Sequence, residues 1–316
     1  MALTPLGANV RYLVTISRTD LSHRKRRWED PSHRSKIRKF GPREMPLAYR
    51  ALLALIDEDG EIVKAVPLWS PKGILRVQDR LLVACFSEIR SFSLDLSSSE
   101  TFVDARWCND LHSLRPTPNG VVVAVSGVDA FVELSTDGEV VYEWWAAEHG
   151  FDVDVRGEPW SLGIDDDHRP FSYPVELQST HVNAVAALDA DTFVATLLHC
   201  DCLVAIDRTT GRSSALLEVG RPHGVRVIGD RLVSLADTLR GAGIVARIED
   251  GRAEIVDEVA IDTEWLHDAQ IVTDGWMLVD GAHARVVHTN STGEVLRTDS
   301  FDADWCLYEA LPWDDG

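Results

Sequence analysis

Cysteine is scarce in this chain of 316 residues: Cys85, Cys108, Cys200, Cys202 and Cys306 are all there is. An odd and widely spread set makes a disulfide framework a poor expectation and a reducing cytoplasm the better one. No apolar run approaches the roughly 20 residues that cross a bilayer, so no membrane association is expected. The opening MALTPLGANVRYLVTISR lacks the basic front, apolar block and small-residue cleavage site of a secretory signal. No nucleotide-cofactor motif is present. Bases are also in deficit, 31 Lys and Arg against 51 Asp and Glu, for a net charge of −20. An acidic body argues against wrapping nucleic acid, whose affinity comes mostly from phosphate contacts.

The deficit is uneven. Between Arg18 and Arg50 stand eleven bases and four acids, a local net of +7 that leaves −27 on the rest. The remaining composition, 45% hydrophobic and 26% charged, is that of an ordinary globular protein.

What the chain has in abundance is repetition. Five segments align: SPKGILRVQDRLLVACF from Ser70, DLHSLRPTPNGVVVAVS from Asp110, STHVNAVAALDADTFVATL from Ser179, RPHGVRVIGDRLVSLAD from Arg221 and WLHDAQIVTDGWMLVDG from Trp265. Each is an apolar strand, a Gly or Asp turn and a second apolar strand. Two more strands follow around a turn, as in FVELSTDGEVVYEWW. Four strands at this period is the signature of a β-propeller blade. The sixth unit is split: WCLYEALPW near the C-terminus supplies its first strand, and VRYLVTISR with RALLALIDEDGEIVKAVPL supplies the other three. The expectation is a single all-β domain over 1–316, a six-bladed propeller whose ring is closed by the two chain ends. Joining them removes sheet edges that invite aggregation.

The register puts one residue of each unit at the start of its innermost strand, where the strands line a central channel: Lys72, His112, His181, His223, His267 and Tyr308. Their separations are 40, 69, 42, 44 and 41 residues, the long one marking an insertion at 147–180. Four of six being histidine predicts imidazoles converging on the channel mouth. Unpaired buried nitrogens are costly, so such a ring needs something to bind. His199, Cys200, Asp201 and Cys202 occupy a turn on the same face, as does His283. Both insertions, the basic 18–49 and the second at 147–180, also fall there and read as lids. The basic one would guide an anionic substrate onto an acidic body. Trp69, Trp107, Trp265 and Trp305 each precede a mouth residue and read as packing between blades.

Imidazoles from four blades can share one transition metal, so His112, His181, His223 and His267 are expected to hold Fe, Cu or Zn. The site would then act on a small anionic or aromatic substrate, as an oxidoreductase or oxygenase. Asp268, Asn183 and Glu309, each next to the ring, are candidates for acid–base or ligand-orienting roles. Lys72, Tyr308 and His267 complete the catalytic candidates; Asn183, His199 and His283 are the substrate-binding ones. A non-catalytic ligand- or protein-binding propeller is a further alternative.

HVNAVAALDADTFVATLLHCDCLVAIDRTTG resembles the His-x-Asn-Ser blade of bacterial arylsulfotransferase propellers, and LHSLRPTPNGVVVAV and LHDAQIVTDGWMLVDGAHARVV resemble two further blades of that family. The resemblance implies an enzyme that moves a sulfuryl group onto a histidine. By motif position His267 would be the nucleophile, and His112 and His181 would hold sulfate oxygens. The family's arginine falls where this chain has Leu198 and His199.

Overall fold

The computed structural model describes residues 10–19, 36–39, 50–273 and 275–313. It contains six antiparallel four-stranded sheets. Blade 1 runs through Ile74–Val77, Arg80–Ala84, Ile89–Ser93 and Ser99–Val103. Blade 2 comprises Leu111–Thr117, Gly120–Val125, Ala130–Ser135 and Val140–Trp145. Blade 3 is Val182–Ala187, Thr192–Leu197, Cys202–Asp207 and Ser213–Glu218. Blade 4 is His223–Gly229, Leu232–Asp237, Ala242–Glu249 and Arg252–Ala260, and blade 5 is Leu266–Val272, Gly275–Asp280, Arg285–Asn290 and Val295–Ser300. Blade 6 is the split one, Cys306–Trp313 pairing with Arg11–Arg18, then Arg50–Ile56 and Ile62–Trp69. The fold is the expected six-bladed propeller, closed as the repeat predicted.

Burial falls from the axis outward, which is why the strands read so differently in sequence. Gly120–Val125 is apolar on both faces because a neighbouring blade covers each. Arg252–Ala260, at the rim of blade 4, is mostly exposed and mostly polar. Six apolar clusters hold the ring, one at each junction between consecutive blades. Val122, Phe131 and Trp144 of blade 2, for example, meet Val182 and Phe193 of blade 3. Leu13 and Leu53 of blade 6 meet Ile74 and Leu81 of blade 1, closing the circle. No helix of the described residues is long and apolar enough to cross a membrane.

Of the basic insertion 18–49, only 18–19 and 36–39 lie within the described residues, so the lid expected there falls mostly outside them. Arg38–Lys39 pairs antiparallel with Phe171–Ser172, joining the two insertions. Lys39 Nζ sits 5.4 Å above the Phe171 ring. The second insertion is held down by Asp129, whose left-handed backbone (φ 56°) ends the turn between strands two and three of blade 2. Its carboxylate accepts hydrogen bonds from Trp160 Nε1 (2.9 Å), Ser179 N (2.9 Å), Thr180 N (2.9 Å), Thr180 Oγ1 (2.7 Å) and His181 N (2.5 Å).

The junction of blades 5 and 6 carries an acid-sensitive element. Burial raises the Asp299 carboxyl, but His288, Arg297 and Tyr12 outweigh it and hold the group at about 2. Tyr12 donates to Asp299 at 2.8 Å and Arg297 Nε at 2.8 Å. Because the folded value lies below the ordinary one, this contribution is present above about pH 4 and is lost as pH falls toward 2. Asp299→Asn should lower the melting temperature at pH 7 and flatten its decline between pH 4 and 2. An unchanged decline would remove Asp299 from the account.

Candidate functional site at the channel mouth

The six register positions meet. His112 lies edge-to-face against His181 (ring centroids 4.9 Å apart) and against Tyr308 (5.2 Å). His223 contacts His267 (5.2 Å) and Tyr308 (6.2 Å), and His267 contacts Tyr308 (4.9 Å). Lys72 Nζ lies 5.5 Å from the Tyr308 ring centroid and 3.1 Å from His112 Nε2. All six are buried, with exposures of 2–7%. Irregular pairing in blades 2 to 5 brings this about. The register shifts between Val123 and Val125, Val182 and Ala184, His223 and Arg226, and Leu266 and Asp268, beside the mouth residues.

Hydrogen bonds assign the imidazole protons. His112 Nδ1 is 2.7 Å from the Asp110 carbonyl, which can only accept, so its proton is on Nδ1 and Nε2 faces the Lys72 ammonium. His181 Nδ1 donates to the Gln178 side-chain oxygen. His223 Nδ1 is 3.0 Å from the Arg221 carbonyl and 2.8 Å from Thr238 Oγ1; that hydroxyl donates onward to the Leu266 carbonyl at 2.7 Å. In all three the lone pair is therefore on Nε2. His267 differs. Its Nδ1 donates to the Leu307 carbonyl (2.6 Å) and its Nε2 accepts from the Trp265 indole (2.7 Å). The ring packs against Gly281, where a Cβ would come within 2.1 Å of Nδ1. Trp265 thus orients a histidine and walls the site, beyond the packing role expected of it.

Charge and burial set the titration. Burial, then the Lys72 charge, drives His112 well below the ordinary histidine range; burial, then His112 and His199, does the same to His181. Both are neutral at pH 7. Burial raises the Asp110 carboxyl, but Lys72, 2.5 Å away, pulls it below the usual range. Burial pushes the Tyr308 phenol well above 10.

Several sequence candidates have other employment. Asp268 and Glu309 lie in a buried four-charge network, where burial raises the Glu309 carboxyl against the pull of its arginines. Glu309 Oε1 takes Arg115 Nη1 at 2.8 Å and Arg226 Nη2 at 3.0 Å, while Asp268 receives both terminal nitrogens of Arg226. Sequence reading missed both arginines. Each sits three residues after a mouth histidine, in LHSLR and PHGVR, and a charge in an otherwise buried strand was the available signal. Asn183 is buried and its amide donates to the Pro222 carbonyl at 2.9 Å, a tie between blades 3 and 4. His199 stands at the rim with its ring 6.0 Å from His181 and its Nε2 2.8 Å from the Val175 carbonyl, fastening the second insertion. His283 is half exposed, pairs with Asp280 (2.9 Å) and, among the described residues, makes no ring contact with the cluster.

The donor set does not fit the expected four-histidine metal centre. Both nitrogens of His267 are engaged by Trp265 and Leu307, and a cation at His112 Nε2 would face the Lys72 ammonium. Among the described residues no group of three or more His, Cys, Asp or Glu is disposed to hold an ion. The same bonds remove His267 from the role of nucleophile that the arylsulfotransferase resemblance implied.

No protein-family model matches the sequence. No curated protein matches it either. Solved structures do resemble the fold. A protein of unknown function from Bacteroides caccae aligns over 96% of this chain and 98% of its own, with 14% identity and a TM-score of 0.62. A chain of the nidogen/laminin complex aligns over 95% and 97%, with 9% identity and a TM-score of 0.59. Streptogramin B lyase aligns over 84% and 87%, with 10% identity and a TM-score of 0.50. At such identities the likeness is one of architecture, and the chain is placed among the propellers by its fold.

Proposed function

We propose that the channel mouth is an enzyme active site that works with neutral imidazoles on a small anionic or aromatic substrate. The observation that carries this is the tautomer lock. His112, His181 and His223 each have Nδ1–H committed to an acceptor, and their rings cluster with Lys72 and Tyr308. A neutral imidazole with its lone pair on Nε2 is a general base or a nucleophile, and the acceptor behind Nδ1 stabilises the cation that forms.

Lys72 is the anion-binding group, Tyr308 an aromatic wall and hydroxyl donor. Arg221, its guanidinium 5.8 Å from the Trp265 ring centroid, adds positive charge outside. Of the imidazoles, His181 and His223 are assigned as the bases by the acceptors behind their Nδ1, while the lone pair of His112 is directed at Lys72.

Group transfer from an aryl sulfate or related ester is the reaction class favoured by this chemistry. The acceptor is His181 or His223, in place of His267. The test is a panel of aryl sulfates, phosphates and carboxylates assayed for turnover and for thermal shift. One class should be turned over, with Lys72→Met raising KM and His223→Gln or His181→Gln lowering kcat by about 10²-fold or more. The His181 contribution should persist to pH values well below 6.5, because burial keeps that ring neutral there. Wild-type rates from both variants would sink the reading. So would stoichiometric transition metal in tag-free protein that disappears on mutating His181 or His223.

A further inference from the structure

Cys200 and Cys202 have no place in this mechanism, and the fold treats them differently from the other thiols. Cys85, Cys108 and Cys306 are buried in blade cores, whereas Cys200 is exposed and Cys202 half exposed. They flank Asp201, whose left-handed backbone (φ 47°) folds the chain between the short helical turn Leu198–Cys200 and the strand that Cys202 starts. Cys200 closes that helical turn and Cys202 opens the strand, so the two thiols stand two residues apart across one tight turn. Residues two apart across such a turn are within the Cα separation that a disulfide spans.

This turn connects two mouth histidines. On one side Leu198 N donates to the His181 carbonyl (3.2 Å) and His199 N to the Thr180 carbonyl (3.1 Å). On the other side Asp201 accepts from Val219 N at its carbonyl (2.8 Å) and from Arg221 N at its carboxylate (2.8 Å). The Arg221 carbonyl in turn accepts from His223 Nδ1. Asp201, between the sulfurs, is thus the clasp between the starts of blades 3 and 4.

We propose that Cys200 and Cys202 are a dithiol–disulfide pair, oxidised by a peroxide, whose closure loosens the Asp201 clasp and so displaces His181 and His223. The Cys200 thiolate attacks hydrogen peroxide; an S–O bond forms, the O–O bond breaks and hydroxide leaves. Cys202 then attacks the Cys200 sulfenic acid, forming the S–S bond and expelling the oxygen as water. Two thiols and one peroxide give one disulfide and two waters, and the two electrons pass from sulfur to peroxide. Disulfide geometry requires the sulfurs to approach to bonding distance, and in so short a loop the backbone of Asp201 must move to allow it. The carboxylate carried by that backbone loses its alignment with Arg221 N.

The test uses the full chain and needs no substrate, so it is independent of the active-site reading. Native protein treated with stoichiometric hydrogen peroxide should lose two hydrogens in mass, mapped to the Leu198–Leu203 peptide, and recover them with dithiothreitol. Cys202→Ser should instead accumulate a sulfenic acid on Cys200 that dimedone traps, and Cys200→Ser should not react at that dose. Hydrogen exchange at 180–182 and 219–223 should accelerate at least tenfold on oxidation and return on reduction. Equal sulfenic acid in wild type and Cys202→Ser, or sulfinic acid without a disulfide, overturns the pair. A disulfide that leaves exchange unchanged overturns the coupling to the mouth.

Discussion

Glu309→Ala should cost the folded chain about 3–5 kcal/mol, read as a lower urea midpoint at unchanged slope. Glu309 is 3% exposed, and one of its oxygens holds guanidinium groups from two other blades, Arg115 and Arg226. Arg226 keeps its Asp268 ion pair after the change, but Arg115 loses its ion pair and keeps hydrogen bonds to two neutral carbonyls, Val225 at 2.9 Å and Leu114 at 2.7 Å. A buried cation stripped of its counterion is the expensive outcome. The double variant Arg115→Met with Glu309→Leu removes both charges and should recover most of the loss. A single-variant loss under about 1 kcal/mol would mean that water reaches the network. A double variant as unstable as the single would mean that the arginine is needed for packing.

The second large effect belongs to Asp129→Ala. One carboxylate accepts five hydrogen bonds from the end of the second insertion and the start of blade 3, four of them from Thr180, Ser179 and His181. Each donor left buried without a partner costs about 1–3 kcal/mol, so the segment should detach before it tolerates all of them. The global loss is then limited to about 2–4 kcal/mol. The local signature is larger: rapid proteolysis and exchange within 147–180. His181, with its ring exposed, should titrate nearer the ordinary histidine value, where burial now holds it well below. Asp129→Asn is a sharper control, because its amide can accept at only one atom. Protease resistance in Asp129→Ala would show that the Arg38–Lys39 pairing, not Asp129, holds the insertion down.

The ring and its mouth were readable because a blade repeats one spacing. Lys72, His112, His223, His267 and Tyr308 could be aligned by counting, and the strands did converge where the count put them. Counting locates a Cα; it does not say what each ring nitrogen touches. His267 looked equivalent to His223 in sequence, yet Trp265 two residues earlier takes its Nε2. Asp268 and Glu309 were correctly placed beside the ring, but the arginines that neutralise them come from blades 2 and 4. A charge in an otherwise buried strand marks each arginine, but its partner on another blade leaves no local trace. Asn183 likewise sits beside a mouth residue, while its amide is drawn across the junction to Pro222.

The seam of the ring lies inside the site. Tyr308 and Glu309 belong to Cys306–Trp313, which pairs with Arg11–Arg18 from the opposite end of the chain. During synthesis five blades can collapse while the mouth cluster still lacks Tyr308 and the arginines beside it lack Glu309. The cluster of mouth residues is therefore complete only when Cys306–Trp313 docks. A circular permutant that opens the chain at a rim turn of blade 4 should move that last step elsewhere without altering the finished mouth cluster.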